Sequence, residues 1–375
     1  MRIGIVSPSY GYGGANIVSA NLGKELLAHH DVYFFPYKFT TNFSGIPDER
    51  FFYIGTSRNA FQKSSDKIGK GFEVLFTKEF TPSKYYRKEF QNLCSYVIEK
   101  NIEVMILSSF ESSVLFAEEL KKKFPQLKII SWMHESVSYS FGSLTKNYPR
   151  AFRAGLKVSD AIVCLTHEDK ATYDSINSKT EVIYNPVFLD YQKTTTLNEK
   201  VISFTTRLDI QVKGLDYLVT VAQSLPDDWK IRVAGHGRPE QLEAFETLLR
   251  QEDKKNKIEF VGSLEGEALA NHYFQSSLFL STSRTEGLPL VLIEALFFGL
   301  PIVSFDHSGG KEILENGKYG TLVPIGDTLA MASAINHIIQ DSATLLEWQQ
   351  KALARSKDFA TEKIIQQWLD LLNQL

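Results

Sequence analysis

The sequence predicts an α/β protein made of two similar halves, each a parallel sheet covered by helices. Three observations carry this. Short apolar runs alternate with stretches of helical period along most of the 375 residues, as expected of strands buried on both faces. A glycine-rich turn, Gly11-Tyr12-Gly13-Gly14, joins the first apolar run to the first helical stretch. The alternation then restarts after Tyr184-Asn185-Pro186. At roughly 150 residues per domain, the length also favours two domains.

The elements follow in order. Ile3 to Val6 reads as a strand and Ala15 to His29 as a helix, with Ile17, Leu22, Leu26 and Leu27 near helical spacing. Val32 to Phe35, Val104 to Leu107, Ile129 to Trp132 and Ala161 to Leu165 read as strands, and Ser113 to Lys123 as a helix between two of them. In the second half, strands are expected at Val201 to Thr205, Lys230 to Ala234, Ile258 to Val261, Leu278 to Ser281 and Pro301 to Phe305. Helices are expected at Gly214 to Ser224, Pro239 to Glu252 and Pro289 to Phe298. Ala360 to Leu375 is one amphipathic helix, with Ile364, Ile365, Trp368, Leu371 and Leu372 on a stripe that must bury itself.

Composition excludes several classes. With 43% hydrophobic and 23% charged residues the chain is ordinary for a globular protein. A net charge of −3 gives no case for nucleic-acid binding. The charge is uneven: residues 1 to 185 hold 23 Lys+Arg against 19 Asp+Glu, and the remainder 18 against 25. Cys94 and Cys164 stand far apart without CxxC or Cys/His company, so neither a disulfide framework nor a zinc site is expected, and a reducing, cytoplasmic compartment fits. The opening apolar run is too short for a signal peptide. The strongest apolar stretch, Leu288 to Ser304, is interrupted by Glu294 and reads as no membrane span.

The strongest chemical signal is Glu286-Gly287-Leu288-Pro289-Leu290-Val291-Leu292-Ile293-Glu294. Pro289 suits a first helical turn. The N–H groups of Leu290 and Val291 would then point out of the helix end, a ready phosphate site. Glu286 stands in the loop before that end, where it can accept hydrogen bonds from sugar hydroxyls. Glu294 lies two turns on, within reach of a ribose. Against this, a helix with Glu near its start is common. A second signal is Arg207 at a strand end and Lys213 before a helix, two cations suited to a diphosphate leaving group; alone, such a pair is usually a solvated loop. Gly13-Gly14 allows close approach of a phosphate or sugar, but the turn is not a full GxGxxG, which ranks dinucleotide binding low. His134 follows a strand directly and is expected at a cleft edge, although a lone His is more often packed or on the surface. The other histidines show no metal-ligand spacing with it, and there is no GxSxG arrangement for hydrolysis.

In order along the chain stand Gly13-Gly14-Ala15, His134, Tyr184-Asn185-Pro186, Arg207, Lys213-Gly214, Gly235-His236-Gly237, Phe260-Val261-Gly262 and Glu286 with Glu294. Together they resemble retaining glycosyltransferase family 4, the glycosyl transferases group 1. The resemblance covers nearly the whole chain and is most specific from 201 to 325. It implies a GT-B fold, two Rossmann-like domains facing each other across a cleft. Residues 1–185 would bind the acceptor, and 186–357 the nucleotide sugar. A C-terminal helix at about 358–375 would pack back on the first domain.

The resemblance implies that Arg207 and Lys213 hold the donor diphosphate, that Glu286 contacts the donor sugar and Glu294 the ribose, and that His134 lies beside the reacting sugar. It lines the donor further with Gly13, Gly14, Gly235, Val261, Gly287, Leu288, Leu290 and Val291. No cofactor and no metal are implied. The expected activity is retaining transfer from a nucleoside-diphosphate sugar, UDP by default, to a glycan or lipid-linked acceptor in bacterial cell-surface polysaccharide or glycoconjugate synthesis. Thr206 stands where the family usually has Gly, and Phe297-Phe298 replaces smaller residues, so pocket shape is expected to differ. The alternatives are an epimerase or phosphorylase on the same fold, or a catalytically silent partner subunit. A phosphorylase would need a buried lysine for pyridoxal phosphate, which is not identified. A silent subunit would be expected to lose Arg207, Lys213 or Glu286.

Residues 56–90 fit this scheme poorly. Between Ser57 and Lys88 stand eight Lys+Arg and three acids, a net of +5, interleaved with aromatics. That pattern suits either a solvated basic loop or a peripheral contact with an anionic membrane.

Overall fold

The computed structural model describes residues 1–11, 13–42, 44–188 and 193–375; Tyr12 of the glycine-rich turn therefore lies outside the described residues. The chain divides into two compact units, Met1–Pro186 with Thr361–Leu375, and Val187–Ala360.

The first unit holds β1 (Arg2–Ser7), β2 (Asp31–Pro36), β3 (Val104–Ser108), β4 (Lys128–Trp132), β5 (Ala161–Cys164) and β6 (Thr180–Val182). They lie in the order β2-β1-β3-β4-β5-β6, and every pairing is parallel. β3 is buried at every residue, which is why its sequence, Val-Met-Ile-Leu-Ser, does not alternate. The last helix, Thr361–Asn373, belongs to this unit. Its stripe of Ile364, Ile365, Trp368, Leu371 and Leu372 is buried, and Trp368 meets Trp132 edge to face at 4.8 Å.

The second unit holds β7 (Val201–Arg207), β8 (Lys230–His236), β9 (Ile258–Gly262), β10 (Leu278–Ser281), β11 (Ile302–Phe305) and β12 (Thr321–Val323). Their order is β12-β11-β10-β7-β8-β9, again all parallel. Strands β7, β8, β10 and β11 pack with the flanking helices into one apolar core that includes Phe204, Leu218, Val233, Leu280 and Ile335.

Each sheet reverses its direction of winding once. In the first unit the reversal lies between β1 and β3, and in the second between β7 and β10. Open parallel sheets bind ligands at the carboxyl ends of strands at such a reversal. The ends of β7 and β10 carry Arg207 and the loop leading to Glu286.

Some elements differ from the sequence reading. β6 and β12 are three residues each, too short to leave a distinct apolar run. The helix expected from Gly214 runs Leu215–Ala222, and a separate turn that the sequence reading did not foresee, Ile210–Lys213, precedes it, joined through Gly214 at a left-handed φ of 62°. A Cβ on Gly214 would run into the Thr282 carbonyl, so only glycine fits there. Pro289 stands just before the helix Leu290–Phe297 rather than inside its first turn. Residues 60–77 and 87–99 are helices, not loop. No helix among the described residues is long and apolar enough to cross a membrane.

Trp368→Ala removes a fully buried indole and should lower the unfolding free energy by about 3–5 kcal/mol. The urea midpoint reads this directly. An unchanged midpoint would mean that the last helix adds nothing to the fold.

Candidate active site

The loops that follow β7 and β10 are stitched together by a dense set of bonds. Thr282 Oγ1 donates to the Lys213 carbonyl at 2.9 Å, and the Arg284 N–H to the Val212 carbonyl at 2.9 Å. The Arg284 guanidinium forms a two-pronged pair with Asp216, at 2.9 and 2.6 Å, and stacks over Tyr217 at 4.0 Å. It also donates to the carbonyls of Ile210 and Gln211. A planar, five-donor fork suits this bracing role better than an ammonium does.

The bracing brings Lys213 and Glu286 together. Their side chains form an ion pair, both largely buried. Ser283 Oγ donates to the same carboxylate oxygen at 2.7 Å. Burial alone would raise the Glu286 carboxyl, but the charge of Lys213 and the hydrogen bonds from Lys213 and Ser283 hold it below the usual range. Arg207, at the end of β7, is exposed. The backbone beside Glu286 is clamped as well: Ser308 Oγ donates to its carbonyl at 3.3 Å, and a Cβ on Gly309 would collide with the carbonyl of Gly287 and the ring of Pro289.

Leu290 and Val291 open the helix Leu290–Phe297, and no side chain caps it. Their N–H groups thus stand at a helix N-terminus that favours an anion. One turn later, Glu294 accepts a 2.5 Å hydrogen bond from the Tyr273 hydroxyl. Tyr273 is fully buried and stacks on Phe298 at 5.2 Å. Phe298, one of the departures in pocket shape, therefore backs the tyrosine that holds Glu294. Burial raises the Glu294 carboxyl, and the Tyr273 bond only partly opposes it.

Gly235 lies on β8 opposite Thr206, where a Cβ would press on the Thr206 carbonyl. Close strand approach accounts for this glycine. Thr206 itself bonds the Arg207 carbonyl at 3.0 Å. Val261 lies on β9, the edge strand, two strands from β7. Gly287 and Leu288 continue the loop from Glu286.

Sequence reasoning missed His307. It is buried and precedes the helix Ser308–Ile313, where its Nδ1 accepts the Gly310 N–H at 3.0 Å. Nδ1 is therefore the unprotonated nitrogen of the neutral ring, and Nε2–H is a buried donor without a protein partner. Burial holds the imidazole down at about 4, despite the opposing charge of Glu286. Its only signal in the sequence was position, just after β11. Tyr273 and Arg284 were missed as well, because their partners lie 21 and 68 residues away.

The first unit places its candidates at its own winding reversal. Gly13, at φ 120°, ends the loop after β1, and Gly14 begins the helix Gly14–Leu26. His134 follows β4, is buried, and bonds Ser108 Oγ through Nε2 at 2.9 Å. Ser108 Oγ in turn bonds Ser19 Oγ. The His134 ring packs on Trp132 at 4.4 Å, and burial pushes it down to about 3. Beside it, the Glu135 carboxyl is pushed up to about 7 by burial, and its Oε2 is buried without a partner. Among the described residues, no group of three or more His, Cys, Asp or Glu is placed to hold a metal ion.

Comparison with known proteins bears on the family and the fold. The family model described as Glycosyl transferases group 1 matches residues 199–341. The chain is similar to an uncharacterized glycosyltransferase of Haemophilus influenzae, 28% identical over 332 residues that cover 87% of this chain and 91% of the relative. It is also similar to the GalNAc-alpha-(1->4)-GalNAc-alpha-(1->3)-diNAcBac-PP-undecaprenol alpha-1,4-N-acetyl-D-galactosaminyltransferase of Campylobacter jejuni, 25% identical over 360 residues that cover 86% of this chain and 96% of the relative. Among solved structures, Anabaena HepE in complex with UDP matches in fold with a TM-score of 0.80 at 16% identity, covering 100% of both chains. The two Rossmann-like units of six parallel strands are those of the GT-B fold. Residues 199–341 match the glycosyl transferases group 1, and this match together with the relatives makes the protein a glycosyltransferase.

The raised Glu294 carboxyl has a consequence for stability. A group whose folded pKa lies above its unfolded value stabilises at low pH, and that contribution is lost as pH rises through the folded pKa. Glu294→Gln keeps an acceptor for Tyr273 without the buried charge. Thermal unfolding should therefore find it equal to wild type near or below pH 4, under the ordinary Glu pKa, and more stable at pH 8. A variant that grows relatively less stable as pH rises would refute the assignment.

Proposed function

We propose that this enzyme transfers a sugar, with retention, from a nucleoside-diphosphate sugar to a glycan or lipid-linked acceptor in polysaccharide or glycoconjugate synthesis. The observation that carries this reading is the Lys213–Glu286 pair at the winding reversal of the second sheet, beside an uncapped helix N-terminus. Arg207, Lys213 and the N–H groups of Leu290 and Val291 take the diphosphate. Glu286, already ionised, accepts from the sugar hydroxyls, and Glu294 from the ribose. Gly13 and Gly14 leave room for the donor, Gly235, Val261, Gly287 and Leu288 line it, and His134 serves the reacting sugar as a neutral ring. UDP is the nucleotide of this reading; HepE was solved with UDP, and the Campylobacter relative is named for a PP-undecaprenol-linked acceptor. Residues 56–90 supply a contact with an anionic membrane at which such an acceptor resides.

In this reaction the acceptor oxygen bonds to the anomeric carbon on the face from which the diphosphate departs. The anomeric C–O bond breaks toward the phosphate, which takes the acceptor proton. Negative charge grows on the leaving phosphate, so cations fixed beforehand lower the barrier. This cationic site works without a metal ion or other cofactor.

Arg207→Ala and Lys213→Ala should each lower turnover at least ~100-fold, about 3 kcal/mol of transition-state stabilisation, with circular dichroism unchanged. Near-normal rates in both would misplace the donor site. Activity should also survive EDTA; loss restored by magnesium or manganese would overturn the metal-free reading. A silent subunit that still binds nucleotide would show a melting shift with UDP but no turnover with any nucleotide sugar.

A further inference from the structure

The helix Ala60–Thr77 is turned inside out. None of its 18 residues is buried. At 100° per residue, Phe61, Ile68, Phe72, Leu75 and Phe76 fall on one stripe, and they are between 58% and 81% exposed. The polar side is the one that faces the protein. Asp66 pairs with Arg58 at 2.9 Å. Glu73 accepts from the Tyr85 hydroxyl and the Thr81 N–H, each at 2.9 Å, and pairs with Lys84 at 3.4 Å. Lys70 lies over the rings of Phe80 and Tyr85. A surface helix of a globular protein normally does the reverse and buries its apolar stripe.

We infer that this helix is a membrane-interface element that lies along an anionic lipid surface, with its stripe in the acyl boundary. The inference rests on the membrane contact proposed above and identifies what makes it. Charge selects the occupant. Of the eight basic residues between 57 and 88, Arg58, Lys70 and Lys84 are engaged within the unit. Lys63, Lys67, Lys78, Arg87 and Lys88 are exposed. The three acids of the segment are all used inward, Asp66 by Arg58, Glu73 by Lys84 and Glu79 by Arg150. The outward surface is thus apolar and cationic, the combination that phosphate headgroups over hydrocarbon complement. A second copy on the stripe would bring like charges together instead. At about 27 Å the helix is long enough to lie flat with all five apolar side chains at one depth.

Co-sedimentation of the full chain with vesicles tests this. Wild type should bind phosphatidylcholine mixed with phosphatidylglycerol, and phosphatidylcholine alone far more weakly. The variant Phe61→Ser, Phe72→Ser, Leu75→Ser, Phe76→Ser changes only exposed side chains and should lose binding by about tenfold or more. Lys63→Glu with Lys67→Glu should weaken binding at low salt and converge with wild type at high salt, where charge is screened. The inference is overturned if wild type ignores the mixed vesicles at low salt, or if the serine variant binds them as well as wild type does. A wild-type dimer in sedimentation velocity that the serine variant abolishes, without vesicle binding, would assign the stripe to a second copy. The assay contains no nucleotide sugar, so its failure leaves the transferase reading standing, and inactive donor-site variants leave this one standing.

Discussion

The candidate site depends on keeping one carboxylate ionised away from water. Removing two charges from solvent costs several kcal/mol per ion, and their attraction offsets this only when geometry and hydrogen bonding are good. Glu286 has both, from Lys213 and Ser283. The geometry is held from outside the pair, by Arg284 on Asp216, Thr282 on the Lys213 carbonyl, and a glycine at 214 that no larger residue can replace. This arrangement is possible because β7 and β10 are neighbours although their ends, Arg207 and Ser281, stand 74 positions apart in sequence. In the proposed reaction the pair is a holding state. A diphosphate approaching Lys213 offers it a second anion, and Glu286 then has a lone pair to give to a sugar hydroxyl.

The candidate residues of the first unit pose the opposite problem, because His134 and Glu135 are buried without an opposite charge beside them. His134 has Ser108 on one nitrogen and only burial around the other. A ring held near 3 is neutral at physiological pH, so it can hydrogen-bond but does not arrive charged. Glu135 beside it is held near 7, where a small change in surroundings changes its protonation. A substrate group with a hydroxyl to share would meet a neutral ring and a carboxyl close to neutrality. That pair is suited to orienting a sugar rather than to stabilising a leaving anion.

Much of this was legible in the sequence, for identifiable reasons. Strands buried on both faces write themselves as unbroken apolar runs, so β3, β4 and β10 were plain. Strands of three residues write nothing, so β6 and β12 were not. Lys213 and Glu286 were visible because each stands at a junction between a strand end and a helix start, which local pattern reveals. Their mutual contact was not visible, since it needs the strand order. Tyr273 and Arg284 act on partners far along the chain, and His307 through a helix cap and a tautomer, and no local spacing marks such residues. Gly235 illustrates a reading made for one reason where the structure supplies another: the chain needs glycine there to bring β8 against Thr206.

Two amphipathic helices show the limit most clearly. The stripes of 361–373 and of 60–77 look alike on a helical projection, and the expectation that such a stripe must bury itself is physically sound. In the first helix it holds, with Trp368 closed against Trp132. In the second, the polar side already has partners in the fold: Arg58 for Asp66, and Tyr85, Thr81 and Lys84 for Glu73. Rotating the helix to bury Phe61, Phe72 and Phe76 would break those bonds, leaving Arg58 with Glu89 alone and the Thr81 N–H and Tyr85 hydroxyl without their acceptor. The fold therefore keeps the apolar side outward, and the unfavourable hydration of that stripe remains until something other than this unit covers it. Periodicity reports that a helix has two faces. Which face turns inward is decided by the groups waiting there.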